Sequence, residues 1–174
     1  MTEPKIFTVR RAFLLPLGLL LLVQLALLIV SLWQGQPPTK SLFVGVVVVV
    51  LAGLLVVNWL RRIELDGEGI TSCRIGRRRR VRFDELTEVE AVCLRNRLFV
   101  TLWVGESFLL LTNAYGDFAT LFRALLQRIP DGLASEEVKQ LAVAPPRHNG
   151  NIVLCWFAVI FSALILVRQL LAGG

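Results

Sequence analysis

Three long apolar runs constrain this chain more than any other feature. They cover residues 12–33, 42–60 and 151–167, and the first two hold 22 and 19 residues without a charge. A helix rises ~1.5 Å per residue and the hydrocarbon core of a bilayer is ~30 Å thick, so about 20 apolar residues form one span. The third run extends to residue 171 if the long side chain of Arg168 reaches the headgroups. The sequence therefore predicts an integral membrane protein with three transmembrane helices, at 12–33, 42–60 and 151–171.

The alternative is that these runs are core segments of a soluble protein, or that the first is a secretory signal. Strands of soluble proteins seldom exceed ~10 residues, and only 18% of this chain is charged, too little to coat three such buried segments. The first run is too long for the apolar region of a signal, lacks a small-x-small cleavage site, and precedes a second span. Both alternatives are therefore disfavoured.

The distribution of Lys and Arg predicts the topology. Basic residues flank one side of all three spans, whereas only Lys40 and Arg168 fall on the other side. The positive-inside rule then places residues 1–11 and 61–149 in the cytoplasm and the C-terminus outside, with residues 34–40 as the outer turn of a helical hairpin over 12–60. The residues expected to anchor the chain at the membrane boundary are Arg10, Arg11, Arg61, Arg62 and Arg147.

Between the second and third spans the pattern changes from continuous to alternating. Period-2 alternation predicts six strands, at 61–65, 69–75, 78–83, 88–94, 97–104 and 107–111. An apolar stripe with a period of 3.6 then predicts an amphipathic helix that ends at Pro130. An α+β domain over 61–130 follows, with the helix closing a bent sheet; residues 131–150 are a linker in which a short helix starts near Ser135. The side chains expected to form this core are Phe118, Phe122, Leu125, Val81, Phe83, Leu98 and Val100.

Two motifs in this domain carry a family resemblance. They are Arg-Ile-Glu-Leu-Asp-x-x-Gly-Ile at 62–70 and Gly-Arg-Arg-Arg-Arg-Val-Arg-Phe-Asp-Glu-Leu at 76–86, followed by the closing helix at 115–129. Over residues 61–130 the chain resembles bacterial membrane proteins with a pleckstrin-homology-like (PH-like) domain. The resemblance implies a PH-like antiparallel β-roll capped by one helix, in the bacterial cytoplasmic (inner) membrane. Two features depart from the family pattern: that fold has seven strands where six are predicted, and a third span follows the domain.

The sequence contains no constellation that indicates catalysis, a cofactor or a metal site. His148 is the only histidine and lies in a Pro- and Gly-rich linker. Cys73, Cys93 and Cys155 are odd in number and lack C-x-x-C spacing. No Asp, Glu, Lys or Arg lies in the middle of a span, where transporters and proton relays usually carry one. We therefore expect a non-enzymatic protein without cofactor or metal.

One charged segment stands out, with six arginines in nine residues on a predicted hairpin. It can contact anionic headgroups or an acidic partner, or it can keep a strand edge soluble. Nucleic acid is disfavoured because no aromatic residues interleave the arginines, and residues 61–149 hold 14 basic and 12 acidic residues. The candidate contact residues are Arg74, Arg77, Arg78, Arg79, Arg80 and Arg82.

These observations lead to one function and one alternative from another class. The first is a membrane protein whose cytoplasmic PH-like domain docks on a protein or on the lipid surface. The alternative is an accessory or assembly subunit of a larger membrane complex, bound through its helices. The alternative predicts that Gln24, Gly45, Gly53 and Ser162 contact foreign helices. A membrane-protein partner and a homo-oligomer are both left open, and a lipid-modifying enzyme lacks a buried acid, base or metal.

Overall fold

The computed structural model describes residues 5–94, 97–130, 132–143 and 149–172. The chain forms two compact units. Residues up to 10 join 60–148 in one unit, called the β domain below, and residues 11–59 join those from 149 onward in the other, the helical unit. The elements are, in chain order, β1 (Lys5–Thr8), α1 (Arg11–Trp33), α2 (Pro38–Leu60), β2 (Arg62–Leu65), β3 (Gly69–Arg74), β4 (Arg77–Arg82), β5 (Glu88–Leu94), β6 (Arg97–Val104), β7 (Ser107–Thr112), α3 (Phe118–Leu126), α4 (Glu136–Val143) and α5 (Gly150–Ala172).

The helical unit consists of α1, α2 and α5, each long and apolar enough to cross a membrane. This confirms the predicted integral membrane protein. The second helix begins earlier than predicted, at Pro38, because proline lacks an N–H and its fixed φ suits the first helical position. Lys40 is therefore helical, and the connection to α1 shortens to residues 34–37.

Polar contacts join α1 to α5. Gln24 Nε2 donates to Ser162 Oγ at 2.9 Å, and Gln169 Nε2 donates to Ser31 Oγ at 3.1 Å. Because both partners advance by seven residues from one contact to the next, the two helices run parallel with matched heptads. By contrast α2, all of which is described, has no buried residue.

The β domain contains two antiparallel sheets, with strand orders β1-β2-β3-β4 and β5-β6-β7. The described residues thus hold seven strands, and the first of them, β1, is not predicted from the sequence. Strand β1 precedes α1 and pairs with β2, with Phe7 opposite Ile63. The pair α1–α2 is therefore inserted between two neighbouring strands of one sheet. The signal in β1 is weak because alternation is limited to Phe7 and Val9, and residues 9–61 separate it from its partner.

The loop after β7 holds the end of β1 in place. Val9 forms an antiparallel bridge with Tyr115, and the N–H of Gly116 donates to the carbonyl of Thr8 at 2.8 Å. These bonds connect the first sheet to the chain that leaves the second. Helix α3 begins at Phe118 and not at 115, because the residue before it, Asp117, has a left-handed backbone conformation (φ 51°) that an α-helix cannot include.

Helix α3 supplies the core of the β domain, as predicted. Its buried face carries Phe118, Leu121, Phe122 and Leu125, and the rings of Phe118 and Phe122 are 5.7 Å apart. The predicted sheet contributors Val81, Phe83, Leu98 and Val100 are buried as well. On β5 only Val89 is buried, whereas Ala91 is half-buried and Cys93 is exposed. The far end of β5 therefore extends beyond the core.

The topology is testable with a reporter fused after residue 174. Because Lys and Arg concentrate on one side of the spans, we expect a reporter that works only outside the cytoplasm to be active there. The same reporter placed in the 34–37 connection should also be active, and one fused at the N-terminus should not. Activity of a cytoplasm-dependent reporter after residue 174 would contradict a third crossing.

Candidate functional site

The six arginines lie on the β3–β4 hairpin, called the arginine hairpin below. Strands β3 and β4 pair in register from Gly69 opposite Arg82 to Arg74 opposite Arg77. The two-residue turn is Ile75-Gly76, in which Gly76 has a left-handed φ of 68° that favours glycine. The hairpin therefore presents its side chains on two defined faces.

On one face the arginines are compensated by acids of the same sheet and its flanking turns. Alternation places Arg78, Arg80 and Arg82 on this face. Exposed ion pairs are worth ~0–1 kcal/mol each, so these contacts orient the side chains more than they stabilise the fold. The pairs are Arg78 with Glu64 at 2.9 Å, Arg80 with Asp66 at 3.0 Å and Glu68 at 3.4 Å, and Arg82 with Asp84 at 2.8 Å.

The other three arginines have no such compensation. Arg74, Arg77 and Arg79 share the face of the buried residues Ile70 and Val81, but lie beyond the core and are exposed. Among the described residues no acid lies within ion-pair distance of any of the three. They form a positive cluster, called the tip arginines below.

Strand register locates this cluster within the β domain. Thr8 pairs with Arg62, Arg62 with Cys73, and Cys73 with Arg78, so these four residues form one row across the sheet. At this row the chain leaves β1 towards α1, through Val9 and Arg10, and enters β2 from α2, through Arg61 alone. The hairpin turn projects beyond the same row. Its residue Ile75 is 51% exposed.

The boundary arginines have different surroundings. The N–H of Arg10 donates to the carbonyl of Ala114, Arg11 is the first residue of α1, and Arg62 pairs with Glu64 at 3.1 Å. Arg147 lies outside the described residues. Arg61 Nε is buried and has no hydrogen-bond partner among the described residues.

Tyr115 lies in the part of the β domain where β1 ends, and it forms a bridge with Val9. Burial raises the pKa of its phenol above the usual value, and the positive charges of Arg61 and Arg74 partly offset that rise. A neutral, buried tyrosine is therefore maintained beside cationic side chains.

The three cysteines and His148 are the remaining candidates from the sequence. Cys73, Cys93 and Cys155 are free thiols, and His148 lies outside the described residues. Searched over the described residues, no group of three His, Cys, Asp or Glu side chains could hold a metal. A groove of 1080 Å³ along α1 and α2 is lined almost entirely by apolar side chains.

The alternative function relied on four residues of the helical unit. Gln24 Nε2 donates to Ser162 Oγ, so this polar contact is made within the chain and not to a foreign helix. Gly45 and Gly53 of α2 have no atom within 4 Å of the position a Cβ would take. Of the four, the two glycines therefore remain open to another helix.

Sequence reasoning identified all six arginines but not their division into two sets. The alternation of Arg78, Arg80 and Arg82 with Arg77 and Arg79 is visible in the sequence. Which set is compensated depends on where Glu64 of β2 and Asp66 of the following turn lie in the folded sheet, and the sequence alone does not show this.

Searches of protein-family models, of curated proteins and of solved structures each return no match for this chain.

Proposed function

We propose that this chain is a non-enzymatic membrane protein whose β domain docks on the anionic surface of the membrane through the tip of the arginine hairpin. One observation carries the proposal. The tip arginines Arg74, Arg77 and Arg79 have no acidic partner among the described residues, and they lie at the end of the sheet that carries two chain connections to the membrane helices.

Electrostatics favours such docking only because the domain is tethered. Each basic residue near an anionic leaflet contributes ~1 kcal/mol within a Debye length of ~8 Å. A free domain would spend this energy on the entropy of association. Here only Val9 and Arg10 on one strand, and Arg61 on the next, separate the sheet from the helices. At the resulting high effective concentration, ~3 kcal/mol biases docked over undocked states about a hundredfold.

The turn between the arginines adds an apolar contribution. Ile75 is half exposed at the point where β3 turns into β4, with Arg74 and Arg77 on either side. An apolar side chain framed by basic residues suits the boundary between headgroups and acyl chains. Burial of an isoleucine side chain contributes ~1.5–3 kcal/mol when complete, so partial insertion of Ile75 would add to the electrostatic attraction.

The architecture supports a PH-like assignment within this proposal. Two antiparallel sheets of four and three strands, followed by one amphipathic helix, agree with the pattern the sequence resembles. The strand that brings the number to seven is β1, which lies before α1. The membrane hairpin α1–α2 is therefore an insertion between β1 and β2. A bacterial inner membrane, with the β domain in the cytoplasm, belongs to the same proposal.

The test uses the full chain in lipid nanodiscs, because a fragment that starts at 61 would lack β1. Hydrogen exchange of the 74–77 turn is measured in discs of neutral lipid and in discs containing anionic lipid, at low and high salt. We expect slower exchange in anionic discs and loss of that protection at high salt. The variant Arg74→Gln/Arg77→Gln/Arg79→Gln should abolish the protection.

A matched control changes the net charge equally on the compensated face. Arg78→Gln/Arg80→Gln/Arg82→Gln should leave the protection of the turn in place. Equal exchange of the wild-type turn in neutral and anionic discs at low salt would contradict lipid docking and favour an acidic protein partner or a solubilising role. Equal loss in both triple variants would mean that net charge alone matters.

The accessory-subunit alternative retains one supporting observation. Helix α2 has no buried residue, and Gly45 and Gly53 leave its surface open to a close-packed foreign helix. The exchange experiment separates the two functions, because binding through α2 would leave the hairpin turn indifferent to lipid charge.

A further inference from the structure

The outer edge of β5 is only partly paired. On one side β5 pairs with β6 along its whole length. On the other side the N–H of Val89 donates to the carbonyl of Leu133 at 3.1 Å, and Val89 forms a parallel bridge with Ala134. Peptide groups alternate along a strand, so the N–H groups of Ala91 and Cys93 point to this same outer edge. Within the described residues neither has a backbone partner there.

A groove runs along this edge. It has a volume of 540 Å³ and lies between β5 and the segment 132–138. The bridge at Val89 shows that an extended segment fits against the edge, and the following positions remain open. An unpaired edge of this kind is a template for one more strand.

The charge of the groove selects what can bind. Glu88, Glu90 and Glu137 line it, and among the described residues no Lys or Arg does. Glu90 accepts a hydrogen bond from Trp103 Nε1 at 2.9 Å, whereas Glu88 and Glu137 have no ion pair within the described chain. A basic segment would therefore gain electrostatic attraction at this edge.

Apolar side chains follow the acids on the same strand. Alternation places Glu88, Glu90, Val92 and Leu94 on one face of β5. Val92 and Leu94 are 60% and 64% exposed. Side chains directly opposite each other on paired strands interact, so a ligand strand would meet acids first and aliphatic side chains next.

We propose that the β5 edge is a binding site for an extended segment of a partner protein, added as a strand to the second sheet. The segment pairs with the open positions from Ala91 onward and has aliphatic residues opposite Val92 and Leu94. The end of the segment that enters the groove carries Lys or Arg, which face Glu88, Glu90 and Glu137. Backbone hydrogen bonds to Ala91 and Cys93 supply affinity that does not depend on sequence, and the side chains supply specificity. This site is separate from the arginine hairpin and does not depend on lipid docking.

The experiment measures binding of a short fluorescent peptide to the full chain in nanodiscs of neutral lipid, which removes attraction of the peptide to anionic headgroups. The peptide alternates serine with lysine, lysine, valine and leucine, and a matched peptide has glutamate in place of lysine. We expect saturable, salt-sensitive binding of the lysine peptide, slower hydrogen exchange over 89–93, and at least about tenfold weaker binding of the glutamate peptide.

Two variants distinguish the contribution of backbone hydrogen bonds to peptide binding from the contribution of the acidic side chains. Ala91→Pro removes an outward N–H without touching the β5–β6 ladder, and proline is tolerated at such an edge position; it should weaken binding about tenfold. Ala91→Val keeps the N–H and should bind like the wild type. Glu88→Lys/Glu137→Lys should abolish the preference for lysine peptide, whereas the control Glu85→Lys/Glu106→Lys, on exposed acids outside the groove, should retain it.

Several outcomes would overturn the proposal. One is that the wild-type chain binds neither peptide, as expected of an edge kept soluble by its glutamates. Another is equal binding of both peptides. If Ala91→Pro perturbs the fold, the Glu88→Lys/Glu137→Lys variant decides, because unchanged preference for the lysine peptide in that variant excludes the groove.

Discussion

Replacement of Phe122 by alanine should destabilise the β domain by ~3–5 kcal/mol and lower its melting temperature by about 15 °C or more. Phe122 is 1% exposed and its ring packs beside that of Phe118 on the buried face of α3. A domain of this size has a free energy of unfolding of ~5–10 kcal/mol, so the substitution consumes much of it. Phe122→Asp should prevent folding of the domain, because it buries an unpaired carboxylate.

The measurement is the thermal unfolding of the purified full chain in detergent. Hydrogen exchange within β2–β7 monitors the unfolding of the β domain. Arg123→Ala is the matched control, since Arg123 is the next residue of α3, is exposed, and donates to the carbonyl of Ala119 in its own helix. It should melt within about 2 °C of the wild type. Wild-type melting of Phe122→Asp would contradict the role of α3 as the core of the domain.

Replacement of Gly69 by alanine should cost ~3 kcal/mol, the upper end of the range for overpacking a buried site. Gly69 is buried opposite Arg82 at the start of β3, and an added Cβ would overlap the carbonyl oxygen of Val81. Backbone atoms of a paired strand cannot move aside as the end of a flexible side chain can. The turn before it is also fixed, because Asp66 Oδ1 accepts the N–H groups of Glu68 at 2.9 Å and Gly69 at 2.7 Å.

The same unfolding measurement tests this prediction. Gly45→Ala makes the same chemical change where no atom lies within 4 Å of the new Cβ, and it should leave the melting of the β domain unaltered. A Gly69→Ala chain that melts like the wild type would mean that β3 can move away from β4 without a loss in the free energy of unfolding. In that case the register of the arginine hairpin, and with it the position of the tip arginines, would need revision.

Local periodicity and length determined a large part of this structure from the sequence alone. Three long apolar runs specified α1, α2 and α5, two of them free of charge and the third continuing past Arg168, because a helix in lipid must satisfy its backbone internally over a known thickness. The stripe through Phe118 and Phe122 specified the buried face of α3, and strict alternation placed Leu98 and Val100 in the core. The density of arginine marked the hairpin as the most unusual surface of the chain.

Features that depend on pairing between distant segments were decided only by the tertiary structure. Strand β1 is too short to be recognised without β2, which follows it by more than fifty residues. Arg78 and Arg79 are neighbours of one residue type, yet among the described residues only Arg78 meets an acid, because Glu64 of β2 lies on the same face of the sheet as Arg78, one strand beyond β3. Whether the outer edge of β5 is open depends likewise on how far residues 132–135 run along that strand. A sequence records the period of each segment. The register of a strand is set by the partner that it meets in the folded chain, and the register decides which charges and backbone groups remain unpaired.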